Sequence, residues 1–151
     1  MNQKTGSPTA SELELARRVA EAMFARDAAS RGLGMRIVDI GPGCSRLSMV
    51  VRPDMLNGHQ ICHGGFVFTL ADSAFAFACN SRNDATVAAG CSIEFLRAVQ
   101  MGEMLIAIAQ ERVLSGRTGI YDITLVDSAG QPVALFRGKS ARIKGEVLPS
   151  S

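Results

Sequence analysis

Apolar residues recur at helical spacing near the start of the chain, at Leu13, Ala16, Ala20, Met23, Phe24 and Ala28. Arg17, Arg18, Glu21 and Arg26 fall mainly on the other side. This pattern predicts a helix with Ser11 as its N-cap, Glu12 and Glu14 in its first turn, and an end near Gly32 or Gly34. From Met35 the period drops to two. Met35–Ile40 and Ser45–Val51 are expected strands joined by a turn at Gly41, Pro42 and Gly43, with Ser45, Leu47, Met49 and Val51 on one face. A loop over Asp54–Gly65 follows. Phe66–Asn80 then reads as a helix that is apolar all round, hence buried on nearly every side. Four more strands are expected at Thr86–Leu96, Glu103–Leu114, Gly119–Asp127 and Val133–Ile143, separated by breaks that contain glycine or serine.

The order is helix, two strands, buried helix, four strands. An antiparallel sheet wrapped around one apolar helix fits it, which places the chain in the α+β class. Residues 1–10 are rich in Gly, Ser, Pro and Thr without periodicity and read as a flexible tail. Residues 11–145 form the expected single domain, and 146–151 a C-terminal tail.

Composition narrows the functional classes. The 151 residues are 47% hydrophobic and 20% charged, suited to one globular domain with a substantial core. The mean hydropathy of +0.16 is apolar for a small protein and is consistent with a shared subunit interface. Sixteen Lys and Arg against 14 Asp and Glu leave a net charge of +2, which argues against a nucleic-acid-binding field. One Tyr and no Trp argue against a base-stacking platform. Cys44, Cys62, Cys79 and Cys91 form no CxxC pair, and His59 and His63 are the only histidines, so no metal site is expected. The polar opening MNQKTGSPTA lacks a secretory apolar core, and free thiols fit a cytoplasmic location. The stretch Phe66–Cys79 is too short to span a bilayer and carries Asp72, so no membrane partner is expected.

The chemistry concentrates between Asn57 and Asn80. His63-Gly64-Gly65 leads into the buried helix. Unpaired N–H groups at a helix start can hold an anion, including the oxyanion of an acyl-transfer intermediate, although a Gly-Gly pair is also an ordinary turn. Asp72 is the only ionisable side chain between Gly64 and Asn80 apart from the Cys79 thiol. A carboxylate among apolar residues is costly unless hydrogen-bond donors satisfy it or its reactivity is used, as general base or nucleophile. Gly64 and Asp72 lie eight residues apart, or about 12 Å along a helix. One reacting carbonyl cannot touch both on the same helix. Two antiparallel copies about a two-fold axis would pair each Asp72 with the other copy's Gly64, so a catalytic reading requires a homo-oligomer. Asn57 is either a holder of a substrate carbonyl or water, or a turn residue in Asn-Gly. His63 is expected to orient the loop, and His59 is a loop histidine. Cys62 adjoins His63, but adjacent residues rarely form a nucleophile–base pair.

The segments LNGHQICHGGFVFTLADSAFAFACN, CSIEFLRA, RTGIYDITLVD and VALFRGKSARI resemble the hotdog-fold acyl-CoA thioesterases, and within them the PaaI group named for phenylacetic acid degradation. The likeness spans about residues 13 to 145. It implies an antiparallel sheet curled around the central helix, dimers that pair two sheets edge to edge, and a tetramer of two dimers. It implies that Asp72 activates water or attacks the thioester, that the Gly64 N–H polarises its carbonyl, and that His63 and Asn57 support the site. The family acts without a metal. Coenzyme A is part of the acyl-CoA substrate, and no other cofactor is implied. Phenylacetyl-CoA or ring-hydroxylated forms are the implied substrates. Two departures stand out. Ala98 replaces the Pro that often follows the FLR run. Val87, Ala88 and Ala89 offer no hydroxyl where distant relatives place one to hold the water, leaving Ser73 and Thr69 as substitutes. For the CoA phosphates, Gly65 and the basic residues Arg97, Arg117, Arg137, Lys139 and Arg142 are candidates. Arg137 and Lys139 share a strand face, which also fits simple edge protection. Phe66 and Phe68 are candidate walls of the acyl pocket. A thioesterase for another acyl class and a non-catalytic CoA-binding module remain the alternatives.

Overall fold

A computed structural model describes residues 6–150. Residues 1–5 of the expected N-terminal tail, and Ser151, lie outside the described residues. Helix α1 runs over Ala10–Arg26 and α2 over Ala28–Gly32. Strands β1 (Arg36–Gly41) and β2 (Cys44–Val50) follow, then a 3-10 turn at Pro53–Met55 and helix α3 over Gly64–Asn80. Strands β3 (Asp84–Phe95), β4 (Met104–Ser115), β5 (Thr118–Val126) and β6 (Pro132–Glu146) complete the chain. The strands form one six-stranded sheet in the order β1-β2-β4-β5-β6-β3, and every pairing is antiparallel. The α+β architecture read from the sequence is therefore the observed one.

The strands start and stop within two residues of their expected ends, except that β6 continues to Glu146. The first helix differs more. Its cap is Thr9, not Ser11: Thr9 accepts the Glu12 N–H while the Glu12 carboxylate accepts the Thr9 N–H, a reciprocal box. The helix also breaks at Asp27, whose carboxylate accepts from Ser30 N–H at 2.9 Å and Ser30 Oγ at 2.5 Å and so caps α2. The apolar period continues through Ala28, which is why periodicity alone runs the two helices together.

Helix α3 packs against α1 and against β2, β4, β5, β6 and β3. Leu70, Ala71, Ala74, Phe75 and Phe77 are buried beneath the sheet. Ser45, Leu47 and Met49 of β2 and Val51 just past its end all point inward as expected, and Ser45 donates to the Ala74 carbonyl of α3 at 2.6 Å. Gly138 lets β6 approach the Phe75 ring, where a Cβ would lie only 2.8 Å from ring carbons. At the far end of α3, Asn80 Nδ2 donates to Thr86 O and Asn80 Oδ1 accepts from Thr86 N–H, tying the helix to β3.

Burial of α3 is less complete than its apolar sequence suggests. Gly65 is exposed, and Phe68, Thr69, Asp72 and Ala76 are half-buried. These positions recur every three or four residues and so form one stripe. The chain's own sheet leaves this stripe open. Strand β3 is exposed along most of its length and, among the described residues, pairs only with β6, which leaves its other edge free. Among the described residues, no helix is long and apolar enough to cross a membrane.

Candidate active site

The loop before α3 is fixed by backbone hydrogen bonds. Asn57 N–H donates to Ile61 O, Cys62 N–H to Val99 O and His63 N–H to Met55 O, each at 2.8 Å. Inside this loop Asn57 Oδ1 accepts from His59 N–H at 2.9 Å and from Ile61 N–H at 3.4 Å. Asn57 is thus a turn-forming residue, and its amide oxygen is committed. The Nδ2 donors have no partner among the described residues.

His63 is the N-cap of α3. Its Nδ1 accepts the Gly65 N–H at 2.9 Å, and its carbonyl accepts the Phe66 N–H at 3.0 Å. The two glycines are therefore the first turn of the helix, not the end of the loop. Of the orphan donors in this turn, the Gly64 N–H has no acceptor among the described residues. Gly65, by contrast, commits its N–H to His63.

Gly64 borders a cavity of about 360 Å³ whose other walls include Asn57, Cys62, Val67, Phe95 and Val99. Arg97 and Ala98 also line it. The cavity thus joins the expected site residues Gly64, Asn57 and Arg97. Phe66 and Phe68, expected at the acyl pocket, do not line it. The Phe66 ring lies edge-on to His63, and the Phe68 ring packs on Phe136 with centroids 5.3 Å apart. Val67, between them, provides the wall. The geometry is helical: one residue's rotation turns the buried Val67 to the cavity and leaves Phe68 at the edge of the open stripe.

Asp72 lies two turns further along α3, in the open stripe. Its carboxylate has no hydrogen bond or ion pair with any described residue. Burial pushes its carboxyl pKa above the ordinary value, and no neighbouring charge offsets the shift. The reading in which Ser or backbone donors satisfy it does not hold within the chain. Ser73, the next residue, instead shares a 2.8 Å hydrogen bond with Ser30 of α2. The Thr69 hydroxyl donates back to Gly65 O at 2.8 Å. The negative charge of Asp72 also acts on Cys91 of β3 and on Cys79. Burial, the larger influence, pushes the Cys79 thiol up to about 12.

The basic candidates separate into two kinds. Arg97 is clamped, donating to Glu103, Asp127 and the Ala98 carbonyl. Arg137 is paired with Asp122 through two bonds of 2.7 and 2.8 Å. Arg117 has no carboxylate partner among the described residues and donates to the Arg142 carbonyl, while Arg142 pairs with Asp84. Lys139 is exposed and has no partner among the described residues. Arg117 and Arg142 border a second, smaller recess with Cys79 and Tyr121, away from the Gly64 cavity. Sequence reasoning did not place Phe95 at the site. It stands 31 positions from Gly64, and no local pattern reports a contact across that separation.

Comparison with known proteins identifies the family and its fold. The model of the thioesterase superfamily matches residues 59–134. Acyl-coenzyme A thioesterase PaaI of Escherichia coli strain K12 is 49% identical over 128 residues, 85% of this chain and 91% of that protein. The solved structure of the E. coli PaaI protein, from the phenylacetic acid degradation operon, superposes with a TM-score of 0.88 at 47% identity, covering 89% of this chain and 98% of that one. A variant of the phenylacetic acid degradation protein PaaI from Thermus thermophilus gives a TM-score of 0.75 at 38% identity, over 78% of this chain and all of that one. Sequence likeness over most of the chain and a shared sheet-around-helix fold lead to one conclusion: the chain belongs to the thioesterase superfamily, within its PaaI group of hotdog-fold enzymes.

Proposed function

We propose that this thioesterase hydrolyses acyl-CoA thioesters of the phenylacetyl or hydroxyphenylacetyl type, at sites completed by a second copy of the chain. The observation that carries the reading is Asp72: a half-buried carboxylate on the central helix that no described group of its own chain satisfies. Its raised pKa suits a general base working near neutral pH. Asp72 takes a proton from water as the water oxygen adds to the thioester carbon. The oxyanion that forms is held by the Gly64 N–H of the other copy, the donor left free at the helix start. Collapse breaks the carbon–sulfur bond, and the departing thiolate recovers the proton from Asp72. The products are the free acid and coenzyme A.

Asn57 supports the same centre. Its oxygen is held by two backbone N–H groups, so its amide presents donors to the cavity, and a carbonyl is the matching ligand. His63 is a positioning residue that fixes the first turn. The free, exposed edge of β3 supports pairing with a second copy, because a long unpaired edge with Val87 exposed beside alanines and a glycine invites another strand. Such pairing would cover the open stripe of α3 and pair Asp72 with the partner's helix start. Two such dimers forming a tetramer, in the cytoplasm, complete the reading taken from the family.

The test is thiol release from phenylacetyl-, hydroxyphenylacetyl-, benzoyl- and straight-chain acyl-CoAs, with Asp72→Asn alongside. Release from the aryl-acetyl substrates, reduced about 10²–10⁴-fold in the variant, is the expected result. Turnover confined to other acyl groups would overturn the substrate and keep the chemistry. Binding without turnover by the parent would favour a CoA-binding module. Single turnover in oxygen-18 water separates the base from a nucleophile: label in Asp72 would indicate an anhydride route.

A further inference from the structure

We propose that Phe95 is a specificity-determining residue that sets which acyl groups can present their carbonyl to Gly64, an inference that rests on the thioesterase reading above. Phe95 ends strand β3, with its backbone in register opposite Ala134 and the next residue bonded from Leu96 N–H to Val133 O at 2.9 Å. Its position is therefore fixed by the sheet. Its ring leans on the start of α3: a Cβ built on Gly64 would lie 3.1 Å from Phe95 Cζ and 3.4 Å from Cε1. Yet the residue is 53% exposed, so the ring is held against the glycine without being part of the core.

Among the described residues, Phe95 is the only aromatic side chain lining the Gly64 cavity. The rest of the lining is largely aliphatic, with Val67, Leu96, Val99 and Val133 among it. The one cation there among the described residues, Arg97, is taken up by Glu103 and Asp127. Burial pushes the Cys62 thiol up, which keeps it neutral. The cavity therefore offers no free charge for a carboxylate or ammonium on the acyl group and selects a neutral one. A cavity of about 150 Å³ admits a benzene ring, so about 360 Å³ has room for one ring and a short linker. An aromatic acyl group there meets the Phe95 ring at stacking or edge distance, a contact with its own preferred geometry. Because the same ring touches Gly64, the fit of the acyl group to Phe95 also sets the distance between its carbonyl and the Gly64 N–H. Removing the ring would widen the cavity beside the reacting carbon and leave both Asp72 and the helix start in place.

The experiment compares kcat/KM for phenylacetyl-CoA and hexanoyl-CoA in the parent, Phe95→Ala, Phe95→Leu and Phe95→Tyr, with oligomeric state checked for each by light scattering. Phe95→Ala is expected to lower the phenylacetyl-to-hexanoyl ratio about tenfold, within the range that one pocket contact supports. Phe95→Leu should lower it less, and Phe95→Tyr should restore it. If Ala fails to assemble, the Leu and Tyr variants carry the comparison. A ratio unchanged within about twofold in every folded variant, whatever the absolute rates, would overturn the inference and reduce Phe95 to a structural contact. An inactive parent would overturn the thioesterase reading itself, an outcome distinct from an active parent whose selectivity ignores Phe95.

Discussion

Ser30 and Ser73, 43 positions apart, share a hydrogen bond of 2.8 Å between their hydroxyls beneath the central helix. Ser30 also donates to the carboxylate of Asp27, the residue that breaks the first helix in two. The pair anchors α3 to α2 beside the open stripe. Its effect on the site is indirect: it helps to fix the rotation of α3, and that rotation leaves Asp72 in the open. Ser73→Ala should therefore cost about 1 kcal/mol of stability and leave kcat within about twofold. Chemical denaturation with steady-state kinetics on the same sample checks this. A large kcat loss at unchanged stability would instead give Ser73 the water-holding role.

In the proposed mechanism, Asp72 sets stability against activity. Burial raises its carboxyl pKa above the unfolded value, so the folded state holds the proton more tightly. The stability that this provides is present below the unfolded pKa and is lost as pH rises through the folded one. At pH 7 the ionised side chain is a burden that a neutral isostere lacks. Asp72→Asn should raise the Tm by about 1–4 °C at pH 7, with the gain shrinking as pH falls toward the usual carboxylate range. In the parent, kcat should fall on the acid side with a midpoint above the ordinary Asp value of about 3.9. Calorimetry and a pH–rate profile read both.

His63 acts through the helix start. His63→Ala leaves the Gly65 N–H without its acceptor and should cost about 0.5–2 kcal/mol, as loss of an N-cap does. The first turn then frays, and kcat should fall more than KM changes, because the Gly64 N–H is no longer held in place. His63→Asn, an efficient cap, should recover most of the stability and part of kcat. Thermal unfolding and kinetics of the two variants distinguish this from direct proton transfer by the imidazole, which Asn could not rescue.

Charge compensation divides the basic residues. Arg137 already belongs to Asp122, and Arg97 to Glu103 and Asp127. Arg117 and Lys139 carry charge that no carboxylate among the described residues offsets. Arg117→Ala and Lys139→Ala should raise KM for acyl-CoA severalfold at low ionic strength, with the effect fading as salt screens the phosphates. Arg137→Ala should change KM little. Kinetics at two salt concentrations test the order. A larger effect at Arg137 would mean that CoA displaces Asp122.

Much of this molecule is local information. The period-two runs place strands such as β2, β4, β5 and β6, because each buries one face along much of its length and alternation records which one. The apolar stretch after His63 marks the central helix, because a helix with so few polar groups must bury most of its surface. Asp72 is legible as an anomaly for the same reason, and the eight-residue gap to Gly64 already requires two chains if both act on one carbonyl, since helix rise is invariant. Local rules also misplace what competing caps decide. Thr9 and Asp27 outrank Ser11 and the continuous apolar period because their side chains reach backbone donors that the folded chain leaves open.

Meetings across long separations are a different matter. Phe95 reaches Gly64, Val99 receives Cys62, and Arg97 is neutralised by Glu103 and Asp127, through pairings set by sheet register and loop closure. Val67 replaces its neighbours Phe66 and Phe68 at the cavity because the rotation of α3 is set by packing on both sides at once. The elements and the anomalous carboxylate can be read from the chain alone, since they follow from periodicity and the cost of burying charge. The shape of the cavity and the pairing of its charges arise only on folding, from contacts between distant segments whose geometry no local pattern encodes.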